Sequence, residues 1–240
     1  MAAGRLFRVV STLERVYGVP RRPKADPLSS LVRVILSQNT SDANSNRAFA
    51  ALRQRFPTWR ALAAAPTPSI AAAIRPGGLA NVKAARIKGA LAEIRKRRGM
   101  LSLAFLAARP LAEARAFLTS IKGVGPKSAA VVLNFAFGKP AFPVDTHVFR
   151  VAKRLGMVSE RFNRAKAQEQ LERLVPDSKK FSFHINLIEH GRTLCTARKP
   201  NCGRCPLYRL CPFGRRFYRG PLRPARRIIS RWPGPGKIIE

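Results

Sequence analysis

Apolar residues recur along much of this chain at the three- and four-residue steps of a buried helix face. Leu6, Val9, Val10, Leu13 and Val16 predict a helix over 6–17, which Gly18 can close. Asp26-Pro27 reads as an N-cap with proline at the first helical position, opening a helix from Leu28 to about Ser37. The stretch Leu36-Ser37-Gln38-Asn39-Thr40-Ser41-Asp42 is a turn by composition. Short helices are predicted over 43–56, 59–65 and 68–74, and Pro76-Gly77-Gly78 then forms a glycine turn before a long helix that runs to about Arg98. Leu79 falls at the tip of that turn, an apolar residue whose ordinary fate is to pack on the next helix. Later helices are expected over 111–119, 127–137, 145–155, 164–174 and 181–190, the last closed by Gly191. His184 and His190 have no partners at ligand spacing, and His190 before Gly191 reads as a charge at a helix C-terminus.

The most informative stretch runs from Ile121 to Arg150, IKGVGPKSAAVVLNFAFGKPAFPVDTHVFR. Gly123-Val124-Gly125 is a tight hairpin, and Pro126 suits the first position of the helix that follows. The N–H groups of Gly123 to Lys127 should point outward as a nest for a phosphate, with the cation Lys122 beside them. Lys127 lies in the first turn of an apolar helix, where dipole and burial both disfavour the ammonium. Eighteen positions later comes Asp145, one of four aspartates in the chain, placed to cap the next helix and still face the lysine. Taken singly, a solvated lysine and a capping aspartate are the ordinary readings. Together they are candidates for a lysine nucleophile and its carboxylate partner, a reading that stands beside the ordinary ones at this point.

Charge and cysteines narrow the class. The 240 residues carry 46 Lys and Arg against 12 Asp and Glu, a formal charge of +34. That excess suits a polyanionic partner without choosing among DNA, RNA and a membrane surface. No apolar run reaches the length of a membrane span and the first residues lack a signal-peptide core, so an intracellular protein is expected. All four cysteines fall within seventeen positions, as Cys195-x6-Cys202-x2-Cys205-x5-Cys211. Inside a cell this is a metal site, and four thiolates suit either zinc or an iron–sulfur cube. Residues 214–240 are rich in Arg, Pro and Gly without apolar period, which predicts a flexible basic tail.

GVGPK followed by VDTHVFRV, together with the cysteine spacing, resembles the endonuclease III family of DNA glycosylases over roughly residues 5–213. The resemblance implies an all-α, two-lobed helix-hairpin-helix fold: a six-helix barrel over 28–137, and a cluster lobe from 1–27 and 138–213. It makes Lys127 and Asp145 the catalytic pair and Cys195, Cys202, Cys205 and Cys211 the ligands of a 4Fe-4S cluster. It further implies that Gln38 fills the gap left by an everted nucleotide, that Leu79 wedges into the opposite strand, and that Lys122, Gly123, Val124 and Gly125 grip a phosphate. Arg198 and Lys199, in the first cysteine loop, would present cations to DNA. Two departures stand out: LSQNTSD replaces the LSAQATD usual in the better-known bacterial members, and Ile121-Lys122 replaces Leu-Pro.

The implied protein is a monomeric base-excision enzyme, acting at the nucleoid in the cytoplasm on duplex DNA with damaged bases or abasic sites. It would remove a base, an oxidised pyrimidine by family precedent, through a Schiff base on Lys127 and nick by β-elimination. A mismatch glycosylase that does not nick is the competing enzyme, against which Lys127 argues, because the family's adenine-mismatch members lack that lysine. A non-catalytic cluster protein that binds DNA structures is the third alternative, and the Lys127–Asp145 pair weighs against it.

Overall fold

A computed structural model describes residues 3–223, so the expected tail is described only up to Arg223 and residues 224–240 lie outside it. The described regular structure is entirely helical. In chain order the α-helices are α1 (Ala3–Tyr17), α2 (Pro27–Ser37), α3 (Asp42–Arg55), α4 (Trp59–Ala64), α5 (Thr67–Ala73), α6 (Ala80–Arg98), α7 (Leu111–Thr119), α8 (Pro126–Phe137), α9 (Thr146–Arg154), α10 (Arg164–Leu174), α11 (Lys180–Thr193) and α12 (Pro212–Phe217). Among the described residues no helix is long and apolar enough to cross a membrane. The chain divides into two compact units, one spanning Pro23–Ala141, the other joining the segment up to Arg22 with the residues from Phe142 onward.

In the unit from Pro23 to Ala141, α8 is the central element. Its residues from Ser128 to Phe135 are buried without interruption, as expected of a helix apolar on every side. It packs on α2 and α7, while α6 packs on α5, α2 and α4. Local chemistry fixes the ends: the Asp26 carboxylate accepts from the Ser29 N–H at 2.7 Å to start α2. Gly138, left-handed at φ 68°, stops α8, and the Lys139 N–H reaches back to the Leu133 carbonyl at 3.0 Å.

The other unit is built on α11, which packs against both α1 and α9. Gly18 ends α1 as expected, with φ 83° and its N–H on the Glu14 carbonyl at 2.8 Å. The expected end of α11 is corrected. Gly191 lies inside the helix, which continues to Thr193. A Cβ on Gly191 would stand 3.0 Å from the His147 Cβ, so the missing side chain admits the close approach of α9. His190 is corrected with it. It is buried and its Nδ1 lies 3.0 Å from the Tyr17 hydroxyl. Burial pushes its pKa down to about 4, so it is neutral at physiological pH and cannot serve as a helix-end charge.

Candidate active site and cluster pocket

The hairpin between α7 and α8 has the expected glycine geometry, with Gly123 at φ 89°. Lys122 and Gly125 are exposed, whereas Val124 is buried, so its side chain anchors the turn. The expected row of outward N–H groups is shorter than the sequence suggests. The Val124 N–H is used within the turn, on the Ile121 carbonyl at 3.0 Å, and Pro126 has none. Lys127 occupies the first turn of α8, half-buried, directly after the hairpin.

Two further loops of this unit carry the residues singled out from sequence. Gln38 caps the C-terminus of α2, and its side chain is engaged at both ends. Its Nε2 donates to the Gly123 carbonyl at 2.9 Å, and its Oε1 accepts from Arg86 Nη1 at 2.5 Å. Gly123 is tight against the same arginine, since a Cβ there would meet Arg86 Cδ at 2.9 Å. The neighbouring Asn39 is exposed and left-handed. Leu79, also left-handed, is 56% exposed at the start of α6 and does not pack away.

Sequence reasoning passed over Lys83, which is 1% exposed. Its ammonium donates to the Leu36 carbonyl at 2.6 Å, to the Gly77 carbonyl at 2.8 Å and to the Thr40 hydroxyl. A signal was present: Lys83 shares the buried stripe of α6 with Ala84, Ile87, Ala90, Leu91 and Ile94.

Asp145 belongs to the other unit, where it is 4% exposed. Its Oδ1 accepts from the Val148 N–H at 2.7 Å, which makes it the N-cap of α9. The carboxylate is thus fixed by its own helix.

The cysteines gather in the same unit. All four line one pocket with His190, walled by Val151, Leu155, Leu207 and Phe213. Burial pushes the Cys205 thiol up to about 12 and raises Cys202 and Cys211. Such thiols are unreactive by themselves and ionise on coordination. Two N–H donors already point at sulfur: Gly214 N–H to Cys211 and Arg154 Nη1 to Cys195, each at 3.3 Å. Four cysteines around one apolar-walled pocket, with N–H donors at two of the sulfurs, are a donor set that fits an iron–sulfur cluster. Arg154 also ties down the first cysteine loop through the Thr196 and Ala197 carbonyls, at 2.7 and 2.9 Å. Arg198 and Lys199 are exposed on that loop.

The fold and these sites define a class, the HhH-GPD superfamily base excision DNA repair proteins, whose family model matches residues 32–177. The iron-sulfur binding domain of endonuclease III matches residues 195–211, from the first cysteine to the last. Endonuclease III of Haemophilus influenzae is 37% identical over 188 residues, which is 78% of this chain and 84% of that protein. The chain belongs to the endonuclease III family, and its cofactor is a 4Fe-4S cluster. An Arabidopsis thaliana protein named as a DNA glycosylase is 44% identical over 72% of this chain, although the match spans 59% of the plant protein. A trapped endonuclease III–DNA covalent intermediate superposes with a TM-score of 0.78 at 28% identity, covering 91% of this chain and all of that one.

Proposed function

We propose that this protein is a bifunctional base-excision enzyme that releases a damaged base from duplex DNA and then cuts the strand, with Lys127 as nucleophile and Asp145 as its carboxylate partner. The observation that carries the reading is the placement of Lys127, half-buried in the first turn of a largely apolar helix directly after the glycine hairpin. The neutral lysine amine attacks C1′ of the extruded nucleotide and the C1′–N bond to the base breaks, its electron pair leaving with the base. The attached amine loses its proton and the sugar ring opens to a Schiff base. The C2′ proton is then acidic; its removal expels the 3′ phosphate and leaves a nick. Asp145 stabilises the cationic sugar and accepts the amine proton, from a carboxylate held rigid by its bond to the Val148 N–H.

The remaining residues supply binding. Lys122, Gly123, Val124 and Gly125 hold a backbone phosphate, which positions the duplex without reading sequence. Leu79 enters the stack opposite the lesion, and the Gln38 turn fills the vacated space. Cys195, Cys202, Cys205 and Cys211 hold the cluster, which shapes the loop that turns Arg198 and Lys199 toward DNA. The family's role in base excision repair supports DNA with damaged bases as the substrate; within that class we assign oxidised pyrimidines, with the nucleoid as the place of action.

Borohydride trapping tests the mechanism, on duplexes with an abasic site or an oxidised pyrimidine. Wild type is expected to give a covalent adduct on both, Lys127→Ala none, and Asp145→Asn a much slower one. Tight binding of wild type without an adduct on either duplex would favour the non-nicking or non-catalytic alternatives.

A further inference from the structure

Only two non-glycine residues among those described adopt a left-handed backbone, Asn39 at φ 53° and Leu79 at φ 49°. For an L residue this conformation costs roughly 1–2 kcal/mol and persists only where the surroundings over-determine it. Both residues are exposed, and each stands at the tip of a loop proposed above to enter the duplex. One buried side chain connects the two loops. The Lys83 ammonium has three protons, and three oxygens take them: the Leu36 carbonyl, before the Gln38 turn; the Thr40 hydroxyl, after it; and the Gly77 carbonyl, two residues before Leu79. The Thr40 hydroxyl lies 2.6 Å from the same Gly77 carbonyl, closing the link.

The choice of lysine follows from this geometry. The four-carbon stem crosses the apolar packing of α6, as leucine would, while the head satisfies polar groups no apolar residue could reach. The Leu36 carbonyl belongs to the last turn of α2, the negative end of that helix. The positive charge, unfavourable in the first turn of α6, is therefore balanced by the end of another helix.

We infer that Lys83 is a positioning residue that fixes the Gln38–Asn39 turn and Leu79 at one spacing, so that both tips enter the duplex as a unit. This rests on the proposed reading of the two loops. In its absence each tip relaxes separately, the left-handed residues lose what holds them, and the gap is filled imperfectly. Lys83 touches neither the sugar nor the base, so chemistry on an unpaired strand, which has no gap to fill, does not need it.

The test separates gap filling from chemistry. A duplex carries a tetrahydrofuran abasic analogue, which cannot react, opposite 2-aminopurine, whose fluorescence reports entry of side chains into the stack. Wild type is expected to change that fluorescence. Lys83→Met should lose most of the change, as should Leu79→Ala, and the double variant should be no worse than Leu79→Ala alone. A second arm measures borohydride trapping on a single-stranded abasic oligonucleotide, where Lys83→Met should stay within about twofold of wild type, whereas base release from duplex falls on the order of ten- to a hundredfold. Thr40→Val, which keeps the lysine but removes the shared hydroxyl, should shift the fluorescence in the same direction by less, and it carries the test if Lys83→Met does not fold. A full fluorescence response from Lys83→Met, an equal loss in both arms, or no response from wild type would overturn the inference. Absence of trapping by wild type would instead sink the lysine chemistry, leaving the fluorescence arm to decide the role of Lys83.

Discussion

The Gly123 carbonyl, in the hairpin, accepts a hydrogen bond of 2.9 Å from the side-chain amide of Gln38, eighty-five positions earlier in the chain. Arg86 holds the other end of that amide. The side chain expected to probe the duplex therefore also braces the glycine hairpin, and it must release two hydrogen bonds before entering a gap. Gln38→Ala is expected to lower stability by about 1 kcal/mol, the ordinary cost of leaving a partly buried carbonyl without its donor. Gln38→Glu also loses the donor to the Gly123 carbonyl but keeps an acceptor for Arg86, so it too should fall below wild type. Denaturant midpoints order the three proteins, and equal midpoints would dismiss the brace.

At Asp145 the structure separates capping from charge. Asp145→Asn keeps an oxygen for the Val148 N–H, so its stability should match wild type closely while base release collapses. Asp145→Ala loses the cap as well, at about 1–2 kcal/mol. The expected outcome is two variants with similar residual activity and different melting temperatures. Appreciable activity in the Asn variant would remove Asp145 from the chemistry.

Much of this molecule is written locally and was legible for that reason. The caps at Asp26 and Asp145, the stops at Gly18 and Gly138 and the cysteine spacing depend on residues a few positions apart. Gly191 looked like another stop, but its reason is the close approach of α9, which a local pattern does not contain. His190 looked like a terminal charge because the burial that neutralises it involves Tyr17, 173 positions away. Lys83 was hidden among the solvated cations of a very basic chain, although its place on the apolar stripe of α6 marked it.

Gly191 yields a prediction of its own. In Gly191→Ala the new methyl would press on the His147 Cβ at 3.0 Å and on Arg150 Nη2 at 3.2 Å. Overpacking of this kind costs typically 1–3 kcal/mol. Arg150 also binds the Cys195 carbonyl at 3.0 Å, so the strain should reach the cluster loop. Thermal unfolding followed by the visible absorption of the cluster should show a lower midpoint and earlier bleaching. An unchanged midpoint would mean that α9 can shift at no cost.

Arg154 makes the cluster loop testable without touching a cysteine. It bonds the Thr196 and Ala197 carbonyls and the Cys195 sulfur, so Arg154→Ala frees the loop that carries Arg198 and Lys199. The variant is expected to load the cluster but to bind undamaged duplex more weakly, with a shallower dependence of affinity on salt because fewer phosphate contacts form. Removing the cluster from wild type should weaken binding by at least as much. A salt slope equal to that of wild type would place the loop away from DNA.

The last prediction concerns pH and returns to Lys83. Burial, with the Arg86 guanidinium as a lesser cause, pulls its pKa from the ordinary 10.5 down to about 8. At neutral pH the group is protonated and can satisfy all three oxygens. Between about pH 8 and 10.5 the folded chain has released a proton that the unfolded chain still holds, so this group's contribution to stability rises with pH through that window. Below pH 8 the folded state bears the full burial cost of the charge, offset by the three hydrogen bonds. The stability of wild type relative to Lys83→Met should therefore increase from pH 7 to pH 9.5, by up to about 1.4 kcal/mol per unit within the window. Over the same range the neutral amine has one proton fewer to give, so the 2-aminopurine response of wild type should weaken even as the protein becomes more stable. Denaturant midpoints and fluorescence measured on the same samples make the two trends separable. If the response instead strengthened with stability, the ammonium would not be the group that holds the loops; a stability difference from Lys83→Met that stayed flat across pH 8 would mean that the ammonium keeps its proton to higher pH.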